Sequence, residues 1–302
     1  MPAPPLPVSA SRWPLVALIL GACAIGFGPV LMRSTETGPA AAAFWRLFFA
    51  LPFLAWPALK EGGMVGGRSM RPGLLAGVLF AIDLGAWHYA VAFTSVANAT
   101  VLSNTTPVVV TVVAWLMFRE RPARAFLFAM ALAMAGAFVM AAAKGSGGHG
   151  TAPLVGDLLA LTAALFYGGY FVVVRLARPY ASTSQLMAWT SIAGAPVLLI
   201  AALLLGEKIL PTDWTGWAAC VGLGLMHVAG QGAIAWALGR LPASLTSVTV
   251  LIQPVVAALL GYLIFAEQVV PMQALGALIL LVGVVLAQRT QRPQPVMPET
   301  AS

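Results

Sequence analysis

The sequence predicts an all-α polytopic membrane protein with ten transmembrane helices arranged as two inverted five-helix repeats. Three observations carry that expectation. First, 60% of the 302 residues are hydrophobic and 8% are charged, with mean hydropathy +0.92. A water-soluble fold needs far more polar surface than this. Second, NATVLSNTTPVVVTVVAWLMFRE (Asn98–Glu120) has a counterpart in LTSVTVLIQPVVAALLGYLIFAE (Leu245–Glu267). Pro107 pairs with Pro254, Glu120 with Glu267, and further on Gly136 with Gly283. Duplicated apolar segments of this kind mark transporter architectures. Third, with the N-terminus placed in the cytoplasm, twelve of the sixteen Lys and Arg residues fall on the cytoplasmic side. Only Arg33, Lys144 and Lys208 fall outside, and Arg46 lies within a helix. That bias sets both termini inside and an even number of spans.

Apolar runs long enough to cross ~30 Å of hydrocarbon fall at 13–32, 40–59, 72–93, 96–118, 124–143, 154–177, 184–205, 214–238, 243–265 and 271–288. The first is too long for a usual signal-peptide core and reads as a retained helix, with Gly28-Pro29 as a candidate break. Helices three and four meet around Thr94-Ser95, and eight and nine around Gly239–Pro242, so each pair forms a tight hairpin. The expected organisation is a cytoplasmic tail (1–12), a first repeat (13–143), an external loop (144–153), a second repeat (154–288) and a disordered cytoplasmic tail (289–302). Five spans per half is odd, so the second half enters from the opposite side. Glu120 then ends helix four at the cytoplasmic surface and Glu267 ends helix nine at the external one, both with a structural role at the turn. Helices five and ten carry small residues (Gly136, Gly276, Gly283) and are expected to serve as scaffold or as a homodimer contact.

The net charge of +7 sits in short loops, not on one basic face, which argues against nucleic acid as a partner. Cys23 and Cys220 lie in separate apolar runs and read as packing residues. No metal and no cofactor is expected. An intramembrane enzyme would need a nucleophile or metal set converging at one depth, and no such set converges here. The expected partners are a small-molecule substrate and the lipid bilayer.

Polar side chains within apolar helices are costly and face a cavity or a partner. Asp83 on helix three lies ~16 Å in from Pro72 at 1.5 Å per residue, near the midplane. Trp87 shares its face, with His88 beside it. Arg46 on helix two lies ~9 Å from Ala40 by the same rise, within reach of Asp83 or His88. Two readings are open for Asp83 and Arg46: substrate anchoring or proton coupling, against a structural ion pair. Asn104 and Thr111 on helix four, Tyr167 and Tyr170 on helix six, His227 and Gln231 on helix eight and Gln253 on helix nine complete a candidate substrate-binding set. Pro107 and Pro254 each remove a backbone hydrogen bond at equivalent places, either as gating hinges or as static kinks.

The blocks SNTTPVVVTVVAWLMFRE and VLIQPVVAALLGYLIFAE, with WRLFF in helix two, WHYAVAFTSVANAT across helices three and four and GDLLALTAALFYGGYFVVVR in helix six, resemble the drug/metabolite transporter superfamily, EamA-type. The resemblance covers residues 13–288. It implies a secondary transporter in a bacterial inner membrane, with a central cavity between the halves, moving small organic metabolites and often exporting them. Arg33 stands where a lysine is frequent in that family. No G-x-x-x-x-G-K-[ST] sequence is present, so transport would run on a gradient. The expected function is export or exchange of amino acids or related amphipathic compounds by alternating access, with a channel or facilitator as the alternative.

Overall fold

Glycine and proline decide where these apolar runs become helix and where they break. In the computed structural model, which describes residues 12–61, 69–94, 96–119, 121–143, 151–266 and 268–290, the chain forms α1 (Trp13–Ile25), α2 (Gly28–Arg33), α3 (Pro39–Lys60), α4 (Met70–Phe93), α5 (Val96–Ser103), α6 (Thr106–Phe118) and α7 (Arg124–Ala143). The second half forms α8 (Pro153–Ala177), α9 (Thr183–Leu204), α10 (Trp214–Met226), a π-helical turn (His227–Gln231), α11 (Gly232–Leu238), α12 (Ala243–Val250), α13 (Gln253–Phe265) and α14 (Pro271–Thr290). Together these give ten segments long and apolar enough to cross a membrane. An even number of crossings puts Arg12 and Thr290, the first and last described residues, on one face, called the terminal face below; the opposite face is the distal one. Glu120 and Glu267 lie outside the described residues.

Four of the ten spans are interrupted. The first breaks at Gly26-Phe27, directly before Gly28-Pro29. The fourth and ninth break before their prolines, and this corrects the expected mid-helix kink. Pro107 and Pro254 each stand second in a new helix, where a missing N–H costs nothing. The breaks match bond for bond: Val108 and Val109 N–H donate to Thr105 O, as Val255 and Val256 N–H do to Ile252 O. Both continuations also end in a left-handed residue, Arg119 (φ 54°) and Ala266 (φ 52°), at equivalent positions. The eighth span is interrupted by the π turn.

Packing repeats with the same symmetry. α3 packs on α9 and α7 on α14, each helix against its own equivalent. α4 packs on α8 and α9, while α10 and α11, with the π turn, pack on the first span and, through α10 and the turn, on α3. Helix α3 carries Pro52 where α9 carries Pro196 in the same register. In the α7–α14 contact backbone meets backbone. A Cβ on Gly136 would sit 2.3 Å from Leu280 N and 2.7 Å from Gly276 O. One on Gly283 would sit 2.4 Å from Ala133 N and 2.9 Å from Ala129 O, the equivalent atoms. These glycines are therefore spent within the chain. The outer faces of α7 and α14 expose Phe128, Phe138 and Leu278.

Two main clusters of buried side chains result. The larger joins α3, α4, α8, α9 and α11 around Leu47, Phe80, Tyr170 and Met187. The smaller joins α7, α12 and α14 around Ala133, Val248 and Leu280.

Candidate substrate site

The π turn positions the centre of the candidate site. A π turn inserts one extra residue into an α-helix and is frequent at functional sites. Here it contains both His227 and Gln231, with relative exposures of 0% and 1%. The register that pairs Pro107 with Pro254 also pairs Phe80 with His227, and their rings lie 5.5 Å apart. The pseudo-two-fold axis therefore passes between them.

Arg46 reaches this point from α3 and is 9% exposed. Its Nε donates to His227 Nδ1 at 3.3 Å, and its guanidinium lies over the Phe80 ring, 5.4 Å from the centroid. With Nδ1 accepting, His227 is neutral and carries its proton on Nε2. That buried N–H has no partner. The Gln231 amide lies beside the Tyr167 and Tyr170 hydroxyls, yet neither its oxygen nor its nitrogen forms a hydrogen bond of proper geometry. Tyr167 and Tyr170 stack at 5.9 Å, and Tyr170 lies 5.0 Å from Phe80. Asp83 is half-buried one turn from Phe80, within the field of Arg46 but not in direct contact with it.

Of the residues predicted from sequence, Asp83, Arg46, Tyr167, Tyr170, His227 and Gln231 thus converge. Arg46 pairs with neither Asp83 nor His88, as was expected, but with His227. His88 turns to its own helix and to the first span: Nδ1 lies 2.5 Å from Leu84 O, and Nε2 lies 3.0 Å from Met32 Sδ. Trp87 packs edge-on to His88, ring centroids 5.0 Å apart. Asn104 and Gln253 sit at the breaks of the fourth and ninth spans, each with a buried, unpartnered amide nitrogen. Thr111 departs from the expected face. Its hydroxyl lies 3.6 Å from Met130 Sδ on α7, where it packs against scaffold. Sequence reasoning missed Phe80, although its equivalence to His227 is readable from the repeat register.

A cavity of about 460 Å³ opens between α1, α3, α9 and α11 in the half nearer the terminal face. It is lined by Ala17, Leu54, Pro57, Thr183, Val228 and Trp236 among others. Leu54 stands two turns below Arg46 on α3, and Val228 follows His227 in the π turn, but Arg46, His227 and Gln231 themselves do not line the cavity.

The arrangement defines a class: a ten-span, twofold-repeated membrane protein with a cation, a neutral imidazole N–H, an amide and a carboxylate gathered between its halves. Residues 12–142 and 154–288 each match the EamA-like transporter family, and the chain belongs to that family. It is 23% identical over 240 residues to the pseudopaline exporter CntI of Pseudomonas aeruginosa, covering 79% of this chain and 82% of the relative. It is 26% identical to an uncharacterized transporter of Archaeoglobus fulgidus over 283 residues, covering 92% and 97%. The transporter YwfM of Bacillus subtilis, also uncharacterized, is 26% identical over 231 residues, covering 73% and 74%. One solved crystal structure superposes with a TM-score of 0.73 at 18% identity, covering 93% of this chain and 98% of the other, a likeness of fold.

Proposed function

We propose that this transporter is a secondary exporter of small amphipathic metabolites bearing a carboxylate, amino acids or related compounds, working by alternating access. The observation that carries this reading is Arg46 with the unpartnered His227 Nε2–H and Gln231 amide beside it, buried among apolar helices. Unsatisfied buried donors cost about 1–3 kcal/mol each. A site that holds them open gains that energy back when a solute fills it. Arg46 and His227 offer donors to an anionic group. Asp83, one turn along α4 from Phe80, offers an acceptor to an ammonium or to a coupling proton. Export as the direction draws support from the Pseudomonas relative, whose name is that of an exporter. The excess of Lys and Arg in the loops of the terminal face supports an orientation with both termini in the cytoplasm of an inner-membrane protein.

Counterflow in proteoliposomes tests this. Saturable exchange of radiolabelled amino acids is expected, falling at least about tenfold in Arg46→Gln, the ratio that ~1.4 kcal/mol of lost binding produces. Esterified substrates should not compete. Exchange unchanged in Arg46→Gln, or single-channel currents in place of saturable counterflow, would overturn the reading. Proton dependence that persists in Asp83→Asn would remove Asp83 from coupling.

A further inference from the structure

The loop after α9 closes the distal face through one carboxylate. Glu207 Oε2 accepts from Ala41 N–H at 2.9 Å and Oε1 from Ala40 N–H at 3.2 Å, the first turn of α3. Tyr89, on α4, donates to the same carboxylate. Helix α3 has no cap of its own, because its N-cap residue is Gly38. A Cβ at Gly38 would lie 2.4 Å from Glu207 Oε2, so the glycine is what admits the carboxylate. A negative charge at a helix N-terminus satisfies free N–H groups and complements the helix dipole. Around this contact, Gly38 N–H donates to Lys208 O at 2.9 Å and Trp45 Nε1–H to Ile209 O at 2.8 Å. Lys208 pairs with Glu36 at 3.6 Å, and Thr212 donates to Glu36. Glu36 is itself left-handed (φ 56°), a conformation that costs a non-glycine residue energy. Every one of these bonds, the Tyr89 one included, joins the first half of the chain to the second.

The equivalent place on the terminal face is built differently. Helix α9 is capped internally, by Ser182 and Gln185 in a reciprocal capping box. Glu61, the residue directly after α3, accepts among the described residues from the exposed Ser184 hydroxyl at 3.4 Å, and its backbone oxygen accepts from Gln185 at 3.2 Å. The first turn of α9 has no need of the other half, whereas the first turn of α3 does. The cavity lined by Leu54, Pro57 and Thr183 lies in the half nearer the terminal face.

From this asymmetry we infer that Glu207 is the latch of the distal gate: its carboxylate, borrowed as the cap of α3, holds the distal face shut while the other side is accessible. Opening the distal face requires α3 to give up this cap, and Glu207 then passes into water. The expected consequence is that the latch sets the balance between the two gate positions without touching the solute.

Thiol labelling of purified protein tests this without any transported substrate. In a background lacking Cys23 and Cys220, a cysteine at Thr35, which is 0% exposed beneath the distal loops, reports gate opening to a hydrophilic maleimide. Glu207→Gln should raise its labelling rate about tenfold or more, the ratio given by ~1.4 kcal/mol. Gly38→Ala, which pushes the carboxylate away while keeping it, should do the same. Glu61→Gln should leave the rate unchanged. A cysteine at Ala133, buried against α14, should stay unlabelled throughout. Wild-type labelling at Thr35→Cys in both latch variants would overturn the inference. So would a parallel rise at Ala133→Cys, because that is general loosening.

Discussion

Gln231 separates function from stability at the level of one side chain. It is buried, and its amide spends neither oxygen nor nitrogen on a bond of proper geometry. Replacing an unsatisfied buried polar group by an apolar one of similar shape is neutral or stabilising. Gln231→Leu is therefore expected to keep or raise the thermal unfolding midpoint while counterflow falls at least about tenfold. A loss of stability equal to the loss of transport would make Gln231 a packing residue. This residue was legible in the sequence because an amide in an apolar run has few inexpensive roles. What could not be read was the partner of Arg46. Helical rise fixed its depth, but which neighbour it met depended on the rotation of the eighth span. The π turn set that rotation, and nothing in HVAGQ announces a π turn. Glu207 was invisible for a different reason. A loop glutamate three residues past a helix looks solvated until the opposing helix is known to lack a cap.

Among elements, the α7–α14 pair makes the sharpest claim. Gly136 approaches Leu280 N so closely that one methyl group must push backbone aside. Overpacking of this kind costs about 1–3 kcal/mol, so Gly136→Ala should lower the unfolding midpoint measurably. Gly85→Ala, with nothing within 4 Å of the added Cβ, should leave it unchanged. Equal midpoints for the two variants would mean the close approach bears no strain. The spans themselves were readable from hydropathy to within a few residues, because length and composition suffice to find them. The interruptions were only half readable. Pro107 and Pro254 marked the right places, but proline alone does not distinguish a kink from the start of a new helix. The turns at Asn104-Thr105 and Leu251-Ile252 decided it.

For the whole molecule, the repeat was legible in the sequence because equivalent prolines and glycines kept their register. The pairing of α4 with α8, and of α10 and α11 with the first span, followed only once the halves were folded together. Ten crossings with both ends on one face carry a direct test. Reporter tags at the two ends should be reached from the same compartment, which the orientation proposed above makes the cytoplasm. Tags answering from opposite compartments would require an odd number of spans and would dissolve the inverted pairing.

The backbone-on-backbone mesh of α7 with α14 has a mechanical corollary. Helices that touch through Gly136 and Gly283 have no side-chain depth in which to slide, so in the alternating access proposed above the pair is expected to serve as the fulcrum. Helices α3 and α9 pack on each other and make no main contact with either helix of that pair. For rigid bodies turning about one edge, displacement grows with distance from the pivot. The N-terminus of α3 therefore lies at the long end of the lever, where a single bidentate carboxylate holds against the smallest force.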